Sequence, residues 1–138
     1  MISQNATTRS TELMSVDAVL PGHILLVEDD TSIRDLVTLV LEDEGYAVTA
    51  SVTPMEATRL LDQMSFDLVI TDGFGTLPTA VLVNTADVVR RAGLTPVALF
   101  SAHTHDLRVA KAAGFRDLIT KPFDLDTFVH QVKVLLDR

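Results

Sequence analysis

A chain of 138 residues is long enough for one domain that buries roughly two-thirds of the surface its unfolded form exposes. Hydrophobic residues at 47 % and charged residues at 22 % describe a globular protein, and the lack of cysteine excludes disulfides, thiolate chemistry and cysteine-based zinc sites. The formal charge of −8 disfavours nucleic acid and anionic membranes as direct partners.

Residues 1–21, rich in Ser and Thr, read as a flexible amino-terminal arm, and no basic stretch leads into an apolar one as a signal peptide requires. Apolar runs stay far below the ~20 residues of a bilayer span, so no membrane partner is expected and the location expected is cytoplasmic. From residue 22 to 138 the pattern predicts one domain of alternating strands and helices. Strands are predicted at 24–27, 47–51, 68–71, 96–101 and 118–120, several of them apolar on consecutive residues, as parallel strands covered on both faces are. The first helix carries Ile33, Leu36, Val37, Val40 and Leu41 on one stripe and ends at Gly45. The second opens on a capping box, with Thr53 as N-cap, Pro54 first and Glu56 third, and its stripe is Ala57, Leu60, Leu61 and Met64. A third helix falls within 79–92 and a short fourth within 106–113. The last follows Asp124, with Leu125, Phe128, Val129, Val132, Leu135 and Leu136 as its apolar face. The fold class that accommodates five such units is α/β: an open, doubly wound parallel sheet.

Ligands of such sheets bind at the carboxyl ends of the strands. Those ends carry Glu28-Asp29-Asp30, Asp72, Ser101 and Lys121. Two carboxylates 4 Å apart repel by roughly 4 kcal/mol at an effective dielectric near 20, a stress that a bound cation or a held proton relieves. Oxygen donors from few residues favour Mg²⁺ with retained waters over a transition metal. His23, His103, His105 and His130 lack metal-ligand spacing. Asp72 can serve as a metal ligand, a nucleophile that forms an acyl phosphate, or a turn residue before Gly73. Lys121, followed by Pro122, can reach a phosphate, with Pro122 able to adopt a cis bond in the turn. Ser101 offers a hydroxyl donor. Each feature alone also fits a solvated loop, and Asp30 or Thr31 fits a helix N-cap; their joint appearance at four strand ends is the specific signal.

The segments His-Ile-Leu-Leu-Val-Glu-Asp-Asp at 23–30, Phe-Asp-Leu-Val-Ile-Thr-Asp at 66–72, Pro-Val-Ala-Leu-Phe-Ser-Ala at 96–102 and Ala-Gly-Phe-Arg-Asp-Leu-Ile-Thr-Lys-Pro-Phe at 113–123 resemble the receiver domain of response regulators in two-component signalling. The resemblance covers residues 22–138 and implies a flavodoxin-like five-stranded sheet, order 2-1-3-4-5, with five helices. It implies Asp72 as phosphoacceptor, Asp29 as a direct Mg²⁺ ligand, Glu28 acting through a metal-bound water, and the Phe74 carbonyl as a further ligand. Lys121 and Ser101 then contact the phosphoryl group, and the inward turn of Ser101 repacks the surface of the fourth helix, fifth strand and fifth helix. Phe74 and His103 occupy the positions that gate water attack on the acyl phosphate, and a bulky Phe74 is expected to lengthen its lifetime. The implied partners are a histidine kinase or histidine phosphotransfer protein and a downstream protein, with the domain a monomer or weak dimer. No substrate turnover is expected beyond self-phosphorylation and its reversal. With no output domain after residue 138, the effect is expected to pass by protein contact or phosphorelay.

Three departures from the family stand out. The usual Met-Pro after the acceptor is replaced by Gly73-Phe74-Gly75-Thr76-Leu77-Pro78, which leaves the start of the third helix open. Leu118 stands where the family commonly has Tyr or Phe, so an aromatic rotamer switch cannot operate. The interval from Ser101 to Lys121 is short by about two residues, which trims the fourth helix or the loop before it. Two alternatives remain open at this point: a degenerate receiver acting as a constitutive interaction module, and a haloacid-dehalogenase-like hydrolase, whose first motif Asp72-Gly73-Phe74-Gly75-Thr76-Leu77 resembles. Beryllofluoride with Mg²⁺ is expected to shift NMR resonances around Asp72 while leaving the fourth helix and fifth strand little changed; a large shift across that surface would contradict an atypical output.

Overall fold

The computed structural model describes residues 22–75, 78–101, 107–121 and 123–137. Within them lie strands β1 (His23–Val27), β2 (Ala47–Ser51), β3 (Leu68–Asp72), β4 (Val97–Ser101) and β5 (Asp117–Thr120). They alternate with helices α1 (Thr31–Asp43), α2 (Pro54–Gln63), α3 (Pro78–Ala92), α4 (Leu107–Ala112) and α5 (Leu125–Leu136). The strands form one parallel sheet ordered β2-β1-β3-β4-β5, as expected. The amino-terminal arm, His103, His105 and the Pro122 bond lie outside the described residues.

The consecutive apolar residues of the strands follow from helices on both faces. Ile24, Leu26, Leu68, Ile70, Ala98 and Phe100 point to one layer, closed by Val37 and Leu41 of α1 and by Phe128, Val132 and Leu135 of α5. Their alternating neighbours Leu25, Val27, Val69, Val97 and Leu99 pack on Ala57 of α2, Val81 and Val88 of α3 and Ala110 of α4. Each buried aliphatic side chain contributes about 1.5–3 kcal/mol to the fold.

Local chemistry sets the helix starts. Asp30 caps α1, its Oδ1 accepting from the Ile33 N–H at 3.0 Å. Thr53 Oγ1 accepts from the Glu56 N–H at 3.1 Å, while the Glu56 carboxylate reaches back to the Val52 N–H at 2.9 Å, one residue before the cap. Asp124 caps α5 through the Thr127 N–H at 2.9 Å.

Three predicted core positions are corrected. Leu36 is 44 % exposed, because Val37 and Leu41 occupy the sheet-facing line of α1 and Leu36 is turned about 100° away from Val37. Met64 is 41 % exposed, because α2 stops at Gln63 and Met64 is extended at φ −136° and ψ 157°, off the helical face. Leu125 is 43 % exposed in the first position of α5, a turn short of the buried Phe128. The α4 helix has six residues, in keeping with the short interval before Lys121. Among the described residues no helix is long and apolar enough to cross a membrane.

Gly114 shows how tightly the turn after α4 meets α3. Its φ is +103°, and a Cβ there would stand 2.6 Å from Val89 Cγ1. Gly93, at φ +62°, faces open space. Gly114→Ala is expected to destabilise the protein by about 2–4 kcal/mol from backbone strain plus overpacking, against about 1–2 kcal/mol for Gly93→Ala. Urea denaturation of the two variants checks this; equal losses would mean that the Val89 contact yields freely.

Candidate functional site

Parallel register brings the strand ends to one edge. Val27 lies opposite Thr71, Asp72 opposite Phe100, and Ser101 opposite Thr120. Two further backbone bonds extend the ladder into the loops, from the Glu28 N–H to Ser51 O at 3.0 Å and from the Lys121 N–H to Ser101 O at 2.8 Å. Glu28, Asp72, Ser101 and Lys121 therefore leave the sheet side by side.

Lys121 is the hub of the cluster. Its Nζ donates to Glu28 Oε1 at 2.6 Å and to Asp72 Oδ1 at 2.8 Å, and lies 4.7 Å from the centroid of the Phe100 ring. Glu28 is 1 % exposed, its Oε2 accepting from the Asp30 N–H at 3.1 Å and its carbonyl from Arg34 Nη1 at 3.0 Å. Asp72 Oδ2 accepts from the Phe74 N–H at 2.7 Å, so each carboxylate oxygen of Asp72 has a donor. One carboxylate oxygen from each of Glu28, Asp29 and Asp72 lies within 4.8 Å of the others, with Asp29 exposed to solvent. The rings of Phe100, Phe123 and Phe128 pack below Lys121, with centroids 5.1 to 5.8 Å apart.

Phe74 has φ +54°, the left-handed region that costs a residue with a side chain about 1–2 kcal/mol. Its ring packs against the layer containing Val81 and Leu99, and its carbonyl accepts a hydrogen bond from Asn84 Nδ2 of α3.

Burial pushes the Glu28 carboxyl up from its ordinary value, and the neighbouring Asp72 charge adds to this; hydrogen bonds from Lys121 and the Asp30 N–H offset part of the rise. For Lys121 burial acts against the charged form, but hydrogen bonds to Asp72 and Glu28 outweigh it and hold the ammonium above its ordinary 10.5.

The structure thus brings together Glu28, Asp29, Asp72 and Lys121, and sets the Phe74 backbone directly against Asp72. Ser101 is buried at the tip of β4, and Asp30 serves as the cap of α1. Arg34, Asn84 and the Phe100 ring join the site without having been predicted. Only the position of Phe100 just before Ser101 carried a signal; Arg34 and Asn84 are ordinary helix residues in the sequence.

The response regulator receiver domain model matches residues 24–133. The chain belongs to the response-regulator receiver family. This receiver domain is 34 % identical over 116 residues to the uncharacterized transcriptional regulatory protein YcbL of Bacillus subtilis, covering 83 % of this chain and 50 % of that protein. The chain therefore spans about half the length of that curated relative. The crystal structure of a response regulator from Thermotoga maritima matches with a TM-score of 0.74 at 27 % identity, over 84 % of this chain and 98 % of that one. The receiver domain of sensor histidine kinase PA1611 from Pseudomonas aeruginosa PAO1, solved with magnesium coordinated in its active-site cleft, matches in fold with a TM-score of 0.70 at 20 % identity, over 85 % of this chain and 98 % of that one. Membership in the family sets aside the hydrolase alternative.

Because the Lys121 ammonium is favoured by folding, its stabilising effect is complete below pH 10.5 and is lost as pH rises through the higher folded-state value. Lys121→Met removes this titration, so the alkaline fall in melting temperature is expected to be shallower in the variant than in the wild type. Parallel falls in both proteins would show that the ion pairs do not couple to folding.

Proposed function

We propose that this receiver domain accepts a phosphoryl group on Asp72 in a Mg²⁺-dependent reaction and passes the change to a downstream protein by contact or onward transfer. The observation that carries this reading is the Asp72 carboxylate, held between the Lys121 ammonium and the Phe74 N–H and adjoining the Glu28 and Asp29 carboxylates. The phosphodonor is a histidine kinase or histidine phosphotransfer protein, and the setting is the cytoplasm.

The donor set fits Mg²⁺. It consists of oxygen atoms alone, three converging carboxylates of which that of Asp29 is exposed to solvent, where waters would complete the coordination. Glu28, Asp29, Asp72 and the Phe74 carbonyl would hold the ion, and magnesium in the cleft of the Pseudomonas receiver supports the assignment. When bound, Mg²⁺ supplies neutralisation of charge between the carboxylates and an incoming phosphate.

The chain's own residues do the rest. An Asp72 oxygen forms a bond to phosphorus as the bond from phosphorus to the donor histidine nitrogen breaks, and that nitrogen keeps the electron pair. Lys121, already bonded to Asp72, pairs its ammonium with a phosphoryl oxygen. The Ser101 hydroxyl turns inward to donate to another. Leu118, half-buried against the α2–α3–α4 layer, has no ring or hydroxyl to swing, so the signal is read through aliphatic packing around α4 and β5.

Intact-mass measurement after incubation with acetyl phosphate and Mg²⁺ tests the proposal. The expected result is one added phosphoryl group on the wild type, and none on Asp72→Asn or after chelation of the metal. No adduct on the wild type, together with partner binding that ignores phosphodonor, would instead establish a constitutive binding module.

A further inference from the structure

Residues 73–75, just after Asp72, lie close against the first turns of α3. A Cβ on Gly73 would come 3.0 Å from Val81 Cγ2, and one on Gly75 would come 2.9 Å from Ala80 Cβ and 3.5 Å from Asn84 Nδ2. A side chain at Gly75 would force the loop away from the helix, and one at Gly73 would require the Val81 side chain to give way. Between them, Phe74 is the one non-glycine residue at positive φ among the described residues. A conformation disfavoured for an L-residue persists when its surroundings fix it. Both polar groups of Phe74 are engaged, its N–H by Asp72 Oδ2 and its carbonyl by the Asn84 side-chain amide.

We infer that Asn84 is a positioning residue for the site, holding the backbone of Phe74 so that the carbonyl of the 74–75 peptide is preset as a cation ligand and the N–H of the 73–74 peptide keeps the Asp72 carboxylate oriented. This rests on the reading of the cluster as a divalent-cation site. A carbonyl oxygen has two lone pairs, so the Asn84 amide and a cation can share it. Asn84 is exposed on α3. Asparagine is also a poorer helix former than alanine, so a role confined to α3 itself predicts that Asn84→Ala is neutral or mildly stabilising. The clamp predicts weaker cation binding with the fold intact, because the Phe74 backbone loses the donor that opposes its relaxation to negative φ.

Titration of the full chain with Mg²⁺ by isothermal calorimetry, with the melting temperature and the Phe74 amide resonance recorded without cation, separates these outcomes. Asn84→Ala is expected to weaken Mg²⁺ binding roughly three- to tenfold, as loss of one hydrogen bond allows. The Phe74 amide should shift in the cation-free protein while the melting temperature holds. Gly75→Ala, which pushes the loop from Ala80 with Asn84 intact, should weaken Mg²⁺ binding in the same direction. In a Phe74→Asn background the effect of Asn84→Ala should shrink, since asparagine tolerates positive φ. Unchanged Mg²⁺ affinity in Asn84→Ala would overturn the inference, as would a loss that merely follows a lowered melting temperature. Failure of the wild type to bind Mg²⁺ would overturn the cation reading itself, and an unmoved Phe74 amide would then overturn the clamp as well.

Discussion

The buried carboxylate of Glu28 is the constraint around which the site is built. It is removed from water at the end of β1, where ionisation is costly, and Lys121 lies within hydrogen-bond distance on the far side of the sheet's switch point. The same ammonium also binds Asp72, so one cation is shared by two anions, with Asp29 adjoining. An excess of negative charge therefore remains at the mouth of the pocket. Below it the Phe100 ring presents its face to the ammonium and keeps water out, which strengthens each pair.

The parallel sheet makes this arrangement possible. Lys121 is 93 residues from Glu28 and 49 from Asp72 in the chain, yet the strand order places their loops on neighbouring positions of one edge. The layers beneath hold that edge rigid, since the strands leading to it are packed from both faces. Caps at Asp30, Thr53 and Asp124 fix where the helices leave the loops, so the acidic loop turns at once into α1. Polar precision at the rim thus rests on apolar repetition in the interior.

Much of this could be read before any coordinates. Consecutive apolar residues gave away strands covered on both faces, and the charged or hydroxyl residue at the carboxyl end of each of four strands marked the edge of the candidate site. Helix stripes were less legible where a small rotation or an early stop decided burial. Leu36 lies one step from the sheet-facing line, and Met64 lost its place because α2 ended one residue sooner. Asn84 and Arg34 were invisible for a different reason. Each makes one hydrogen bond to a carbonyl in a loop, and such a bond leaves no periodic trace and demands no unusual residue type. The unusual 73–78 text announced a departure but not the close seating of residues 73–75 on α3, which the bare backbone at Gly75 allows.

Convergence from such separated segments also governs how the molecule comes apart. A proteolytic fragment ending before β5 keeps three acids and loses their cation, and one beginning after α1 keeps the lysine without its deepest anion. Neither fragment keeps the acids together with their ammonium, so the complete cluster exists only where β1, β3 and β5 share one sheet. Any species that binds there recognises the completed architecture alone, and through mass action it protects β1, β3 and β5 together rather than the rim it touches.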